Sequence, residues 1–424
     1  MLKNKENRKV FASLIVLQLV PFIYTFVRTA IINKLPDTSS VNILGQIEWF
    51  DLIDETLQAF LIVPIYAVIN RLKAQKDDMD FNRTLTLTGL VSVCLYSLFS
   101  VIVMFYAAHL AEAMEVPDLS ATVTYLRLET IGFILGIVSS FANVVFVILG
   151  RSAFIYGITI VTAVSRVIGD TLLIPRFGVN GVAYSNILVN AGVSLFCLIV
   201  LAKEKHITFS FGSNFIKNTL KNFARIGLFS GGEIFLNNLI YASMICKMVN
   251  EVQSQGIYWQ ANNFIWGFLL IPINALAEII KQEADMDYHF EETKNYMKLI
   301  GIITGVWILS VPIDIVLLNA MNSDEGVGKI ILIMMPFYVV YGLSQVISSQ
   351  FTGMGKTHYN LLVSVIVNLG YYGIWFALFK AGMIKPSLMM ICMEFGFGMV
   401  VGLIIDFIIV LRLKKISVNQ IQAK

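Results

Sequence analysis

Apolar runs of membrane-spanning length follow one another along nearly the whole chain, and they leave little choice of fold. Crossing the ~30 Å hydrocarbon core of a bilayer at ~1.5 Å per residue takes ~20 helical residues. Runs of that kind occupy 11–33, 47–70, 84–107, 123–149, 153–175, 181–202, 223–247, 257–279, 297–319, 329–350, 360–380 and 388–411. With 57% of its 424 residues hydrophobic and 14% charged, the chain cannot hide its apolar surface in a soluble core, so lipid must cover much of it. The runs are too long and too continuous for the alternating strands of a barrel. The fold class expected is an all-α polytopic membrane protein with about twelve transmembrane helices.

The basic residues orient these helices. Lys3, Lys5, Arg8 and Lys9 precede a run from Val10 to Ile32 that is too long for a signal-peptide core, and no small-residue cleavage site follows it. With the N-terminus in the cytoplasm and the spans alternating, the inner side holds 22 of the 31 Lys and Arg residues. The outer side holds Lys34, Arg176, Lys247, Lys329, Lys380 and Lys385, and Arg28, Arg127 and Arg166 fall within spans. This bias places both termini in the cytoplasm, and the protein is expected in the plasma membrane. The four histidines (His109, His206, His289, His358) read as loop residues, and the four cysteines as scattered, reduced packing residues.

The two halves echo each other. FLIVPIYA begins at Phe60 and FLLIPINA at Phe268, an offset of 208 residues. Gly150-Arg151-Ser152 pairs with Gly355-Lys356-Thr357 at an offset of 205. Six spans separate the matched positions, so the copies share one orientation and their pseudo-twofold runs along the membrane normal. The expected domains are a six-helix lobe over 1–203, a cytoplasmic linker over 204–222, and a second six-helix lobe over 223–424 with a short cytoplasmic tail. The basic and aromatic stretch from Lys203 to Arg225 predicts a short helix lying on the membrane surface. Pro21, Pro64, Pro272, Pro312 and Pro336 fall within spans and are expected to kink them.

Charge inside the spans is the functional signal. The second span opens with Glu48, Asp51, Asp54 and Glu55. An acid at a helix centre costs ~2.5–3.5 kcal/mol, so four without compensation cost on the order of 10 kcal/mol. Glu48, Asp51 and Glu55 share one face, which must look away from lipid. Two readings stand: a helix start wetted at the interface, or a cation or proton site in a cavity. Depth arithmetic brings Arg28 of the first span and Asp170 of the fifth to the same outer level. Arg166 and Asp170, four apart, are placed to pair with each other. Glu233 lies deeper, after Gly231-Gly232. Asp314, Glu394 and Asp406 lie near helix ends, where solvation is the default. By the repeat offset, Asp51, Asp54 and Glu55 correspond to Trp259, Asn262 and Asn263, so the second lobe keeps a polar face without charge.

Three stretches carry a resemblance. VTYLRLETIGFILGIVSSFANVVFVILGRS, residues 123–152, resembles the fourth span of multidrug and toxic compound extrusion (MATE) transporters. VSRVIGDTLLIPRFGVNGVAYSNILVNAGVSLFCLIVL, residues 164–201, is similar to that family's junction of spans five and six. SQFTGMGKTHYN, residues 349–360, resembles the corresponding site in the second half. The likeness covers nearly the whole chain, and polysaccharide and lipid-precursor flippases share the architecture. It implies two lobes that rock around a central cavity, exporting substrate against entry of Na⁺ or H⁺. It also implies a cation site built from acids on spans one and five. Asp170 matches the span-five position; VRTAIINKL places Arg28 where the span-one acid is expected. Other members use acids on spans seven and ten instead; Glu233 is available on span seven, but span ten has no acid to complete that site.

The leading expectation is therefore a secondary-active exporter of amphipathic or cationic small molecules. Its coupling residues are expected to be Asp170, Asp51, Asp54, Glu55 and Arg28, with Glu233, Asn262 and Asn263 as a second-lobe site. The alternative in transport is a flippase for a lipid-linked sugar or lipid precursor. A third reading is a membrane scaffold that has lost coupling. An integral-membrane enzyme is not expected, because H-E-x-x-H, G-x-S-x-G and a P-loop are absent from the sequence. The expected partners are a small-molecule substrate and the bilayer, with no cofactor beyond the coupling ion, no nucleic acid and a monomeric state.

Overall fold

The structure, a computed structural model, describes residues 5–36, 39–65, 68–69, 78–149, 151–204, 208–209, 211–284, 288, 290–354, 356 and 358–422. The described residues are helical throughout, with short turns between. The helices are α1 (Lys5–Ile32), α2 (Ser39–Gln46), α3 (Glu48–Leu61), α4 (Asp78–Ala113), α5 (Leu119–Ile148), α6 (Ser152–Phe177) and α7 (Asn180–Lys203). There follow α8 (Ser213–Tyr241), a π-turn (Ala242–Cys246) and α9 (Lys247–Glu251); then α10 (Gln255–Phe264), a π-turn (Ile265–Leu269) and α11 (Ile271–Glu283). The last are α12 (Phe290–Ala320), α13 (Glu325–Gly353), α14 (His358–Val365), a π-turn (Ile366–Tyr372), α15 (Gly373–Lys380) and α16 (Leu388–Gln422).

These segments fall on the twelve expected spans, and the chain is an all-α polytopic membrane protein. Among the described residues nine helices are long and apolar enough to cross a membrane, or ten if the α10–α11 pair, bent by 49°, is one span. Many large apolar side chains on them face outward, such as Leu309 at 79% exposure and Phe105 at 72%. Such a surface is stable only against lipid. Helices overrun the expected spans where polar turns extend past the hydrocarbon. The 36 residues of α4 reach about 54 Å at 1.5 Å each. That overrun makes His109 helical, and His358 opens α14, so the loop assignment of these two histidines is corrected. His206 and His289 lie outside the described residues.

Packing divides the chain into two compact units, Tyr24–Gly256 and Met1–Ile23 with Ile257–Lys424. In the first, α5 and α7 make the most extensive contact, and α8 packs along α3. Small residues allow the α5–α7 approach: Asn190 Nδ2 donates to the Gly132 carbonyl at 2.9 Å and Ser194 Oγ to the Leu135 carbonyl at 2.5 Å. An apolar core joins α3, α4, α5 and α7 around Ile65, Tyr96, Phe146 and Leu201. In the second unit, α13 is central and packs on α16, α11 and α12.

The repeated motifs sit at helix breaks in both copies. FLIVPIYA straddles the end of α3 at Leu61. FLLIPINA straddles the π-turn and the 49° bend before α11. Pro272 lies in the first turn of α11, just after the 49° bend of its span, a position where its missing N–H has no cost. Pro21, Pro312 and Pro336 lie inside helices. No separate surface helix forms among the described residues of the mid-chain stretch; α8 runs unbroken from Ser213, because its polar first turns simply continue the span. Three acids expected at solvated helix ends are buried instead: Asp314 at 5%, Glu394 at 2% and Asp406 at 2% exposure.

Candidate functional site

The first unit gathers its intramembrane charges through one recurring device, a polar pair four residues apart. Tyr24 and Arg28 on α1, Tyr125 and Glu129 on α5, Arg166 and Asp170 on α6, and Asn186 and Asn190 on α7 each share a helix face. Helix packing turns these faces together.

Asp170 is fully buried, and Arg28 clamps it with Nε to Oδ2 at 2.7 Å and Nη2 to Oδ1 at 3.3 Å. The same Nη2 donates to Asn186 Oδ1 at 2.9 Å, and Asn186 Nδ2 donates to Glu129 Oε1 at 2.6 Å. A fork of this kind satisfies a carboxylate better than a point charge does. Glu129 is 5% exposed, and its Oε2 has no partner among the described residues. Arg166 does not pair with Asp170 as its spacing suggested. It donates from Nη1 to Tyr24 Oη at 2.7 Å and from Nη2 to Asn190 Oδ1 at 3.3 Å, and its guanidinium lies 4.9 Å from the Tyr24 ring centroid. The packing of α6 on α1 and α7 decides this: the carboxylate meets one arginine while the other meets a ring and an amide. Arg127 is exposed.

The acids of α3 divide by role. Asp54 accepts from the Tyr96 hydroxyl on α4 and from Gln58 Nε2 at 2.8 Å. Glu55 Oε2 accepts from Asn238 Nδ2 of α8 at 3.0 Å, and the same amide reaches the Leu52 carbonyl at 3.1 Å. Glu48 is buried and accepts from Tyr241 Oη at 3.4 Å. Asp51 is solvent-accessible and carries no hydrogen bond within the described residues. It lies within electrostatic range of Glu129, Asp54 and Glu48, and of Arg28. Arg28 thus fixes Asp170 directly and feels Asp51 at a distance.

Of the second-lobe candidates, Glu233 lies on α8, and its side chain is outside the described residues. Asn262 and Asn263 lie on α10 and are half-buried; Asn263 Nδ2 bonds back to the Trp259 carbonyl of its own helix at 3.0 Å. The α8 helix belongs to the first compact unit and α10, from Ile257 onward, to the second. Sequence reasoning passed over Glu129, Asn186, Asn190 and Tyr96. The signal for Glu129 was present, since a lone acid within an apolar helix carries the same cost that singled out α3. No group of three or more His, Cys, Asp or Glu side chains among the described residues is arranged to hold a metal ion.

The fold is specifically that of MATE transporters of the MOP superfamily, over nearly the full chain. The chain is similar to an inward-facing multidrug resistance MATE family transporter at 15% identity, with 96% of this chain and 98% of that chain covered and a TM-score of 0.73. It is similar to the MATE multidrug transporter DinF-BH, solved in complex with a ligand, at 16% identity, covering 97% and 96% with a TM-score of 0.72. It is also similar to a MOP superfamily transporter from Pyrococcus furiosus, described as having a binding pocket of reverse polarity, at 15% identity, 97% and 97% coverage and a TM-score of 0.68. No protein-family model matches the sequence, and no curated protein is significantly similar to it.

Proposed function

We propose that the protein is a secondary-active exporter of amphipathic or cationic small molecules, working by alternating access and driven by entry of Na⁺ or H⁺. The observation that carries this reading is the division of labour among the acids. Asp170 is locked to Arg28, whereas Asp51 is accessible, has no hydrogen-bond partner among the described residues and lies near Glu129, Asp54 and Glu48 as well as Arg28. In the working cycle a cation or proton arriving at Asp51 relieves repulsion from Glu48, Asp54 and Glu129, and so favours a different arrangement of α3 against α1 and α5. Arg28 acts as the fixed counter-charge that keeps Asp170 out of the exchange.

The charge sign supports cationic cargo. Six acids of the first unit, Glu48, Asp51, Asp54, Glu55, Glu129 and Asp170, face two arginines, Arg28 and Arg166. An anionic lipid-linked sugar requires the opposite balance. The fold shared with multidrug transporters, DinF-BH among them, is consistent with a small-molecule substrate.

The test is flux of a fluorescent cation in liposomes containing the purified protein, with Na⁺ and H⁺ gradients imposed separately. Gradient-dependent flux that Asp51→Asn abolishes supports the proposal and identifies the ion. Arg28→Ala is expected to change the pH or Na⁺ dependence of that flux. No flux under either gradient leaves the scaffold reading standing in its place.

A further inference from the structure

The stretch Met393-Glu394-Phe395-Gly396-Phe397-Gly398 places an acid within the apolar helix α16, and the structure seals it. Glu394 is 2% exposed, and neither carboxylate oxygen has a hydrogen-bond partner among the described residues. The two glycines bring this about. A Cβ on Gly396 would collide with the Phe337 ring, and one on Gly398 with the Tyr372 hydroxyl. Both neighbouring segments therefore close on α16 at this turn, as small residues allow between membrane helices.

The hydroxyls within electrostatic range of Glu394 are those of Tyr371 and Tyr372. Both are committed elsewhere: Tyr371 donates to the Glu394 carbonyl at 3.0 Å and Tyr372 to the Phe395 carbonyl at 3.1 Å. They are the last two residues of the π-turn Ile366–Tyr372. From α13, Tyr338 faces Tyr372. On α16 itself the next acid, Asp406, accepts from Ser344. Among the described residues no lysine, arginine or histidine hydrogen-bonds to Glu394.

We infer that Glu394 is a proton-binding site in the second unit, its ligand a single proton carried as the neutral acid. An unpaired carboxylate sealed among apolar groups is far costlier than the acid. A metal cation does not fit, because hard cations need several oxygen ligands and the adjacent carbonyls are already capped by tyrosines. On release the O–H bond breaks, its electron pair stays on the carboxylate, and the proton passes to water. The anion then demands donors, and Tyr371 and Tyr372 are the nearest candidates. Each leaves its backbone carbonyl to answer, which loosens the contact between the π-turn and α16. Proton occupancy is thereby tied to helix register, a use to which π-turns are suited. The use of that proton in coupling rests on the exporter reading; its binding does not.

The test is infrared absorption of the full-length protein in lipid as pH is stepped, read in the carbonyl-stretch region of protonated carboxyls. A band present at neutral pH, shifted in Glu394→Asp and missing from Glu394→Gln, establishes the site. Spectra indistinguishable between the native protein and both variants overturn it. Should Glu394→Gln not fold, the Glu394→Asp shift decides alone. In the transport assay Glu394→Gln is expected to reduce proton movement per substrate while leaving cation binding intact. A native protein that shows the band but no flux refutes the exporter reading and leaves the proton site standing.

Discussion

At the scale of single residues, the first unit illustrates how dearly a buried charge depends on its partner. Asp170 is inaccessible to water, and Arg28 is its counter-charge. Arg28→Ala is expected to cost about 3–5 kcal/mol of stability, because it leaves an uncompensated carboxylate in the bundle. The double change Arg28→Ala with Asp170→Ala should cost clearly less than the sum of the two single ones. Thermal unfolding in detergent measures this, and additivity within about 0.5 kcal/mol would remove the pairing from the energetics. The α3 acids offer the contrasting case. Asp54→Asn disturbs bonds to Tyr96 and Gln58 and should lose about 1–3 kcal/mol. Asp51→Asn breaks no bond and removes repulsion, so the unfolding temperature should hold or rise even as coupling is lost. An equal loss in both variants would show that Asp51 is held as firmly as its neighbour.

At the scale of helices, close approach is what assembles the cluster. Gly181 follows the tight Gly178 turn, whose φ of +58° favours glycine, and a Cβ on Gly181 would stand 2.5 Å from the Leu173 carbonyl. That contact sets α7 against α6 and so places Asn186 beside Arg28. Gly181→Ala is therefore expected to destabilise by about 1–3 kcal/mol through overpacking. Gly192→Ala, on the same helix with nothing within 4 Å, should stabilise by about 0.5–1 kcal/mol through helix propensity alone. Measured together by thermal unfolding, the two report packing and propensity separately. Equal effects would mean that the α6–α7 approach carries no strain. The spans themselves were legible in the sequence, since apolar length is a local property. The break of α3 at the repeated Phe-Leu motif, the π-turns and the buried Glu394 were not, because each depends on which neighbour lies against the helix.

At the scale of the whole molecule, topology is the prediction to check. Single cysteines at Asn214 and at Lys385, both exposed, should react with a membrane-impermeant thiol reagent from opposite sides of the membrane, the first from inside and the second from outside. Labelling of both from one side would break the alternation on which the orientation rests. By itself the sequence determined that this chain spans a bilayer many times and that its two halves echo each other, because bilayer thickness and repeat register act along the chain. It also marked Arg28, Asp170 and the α3 acids as costly enough to need a purpose. Only the tertiary structure decided who pairs with whom. Arg28 rather than Arg166 holds Asp170, Glu129 joins through Asn186, Asp51 has no hydrogen bond among the described residues, and Glu394 is sealed, since the partner of a buried charge is chosen by helix packing in three dimensions.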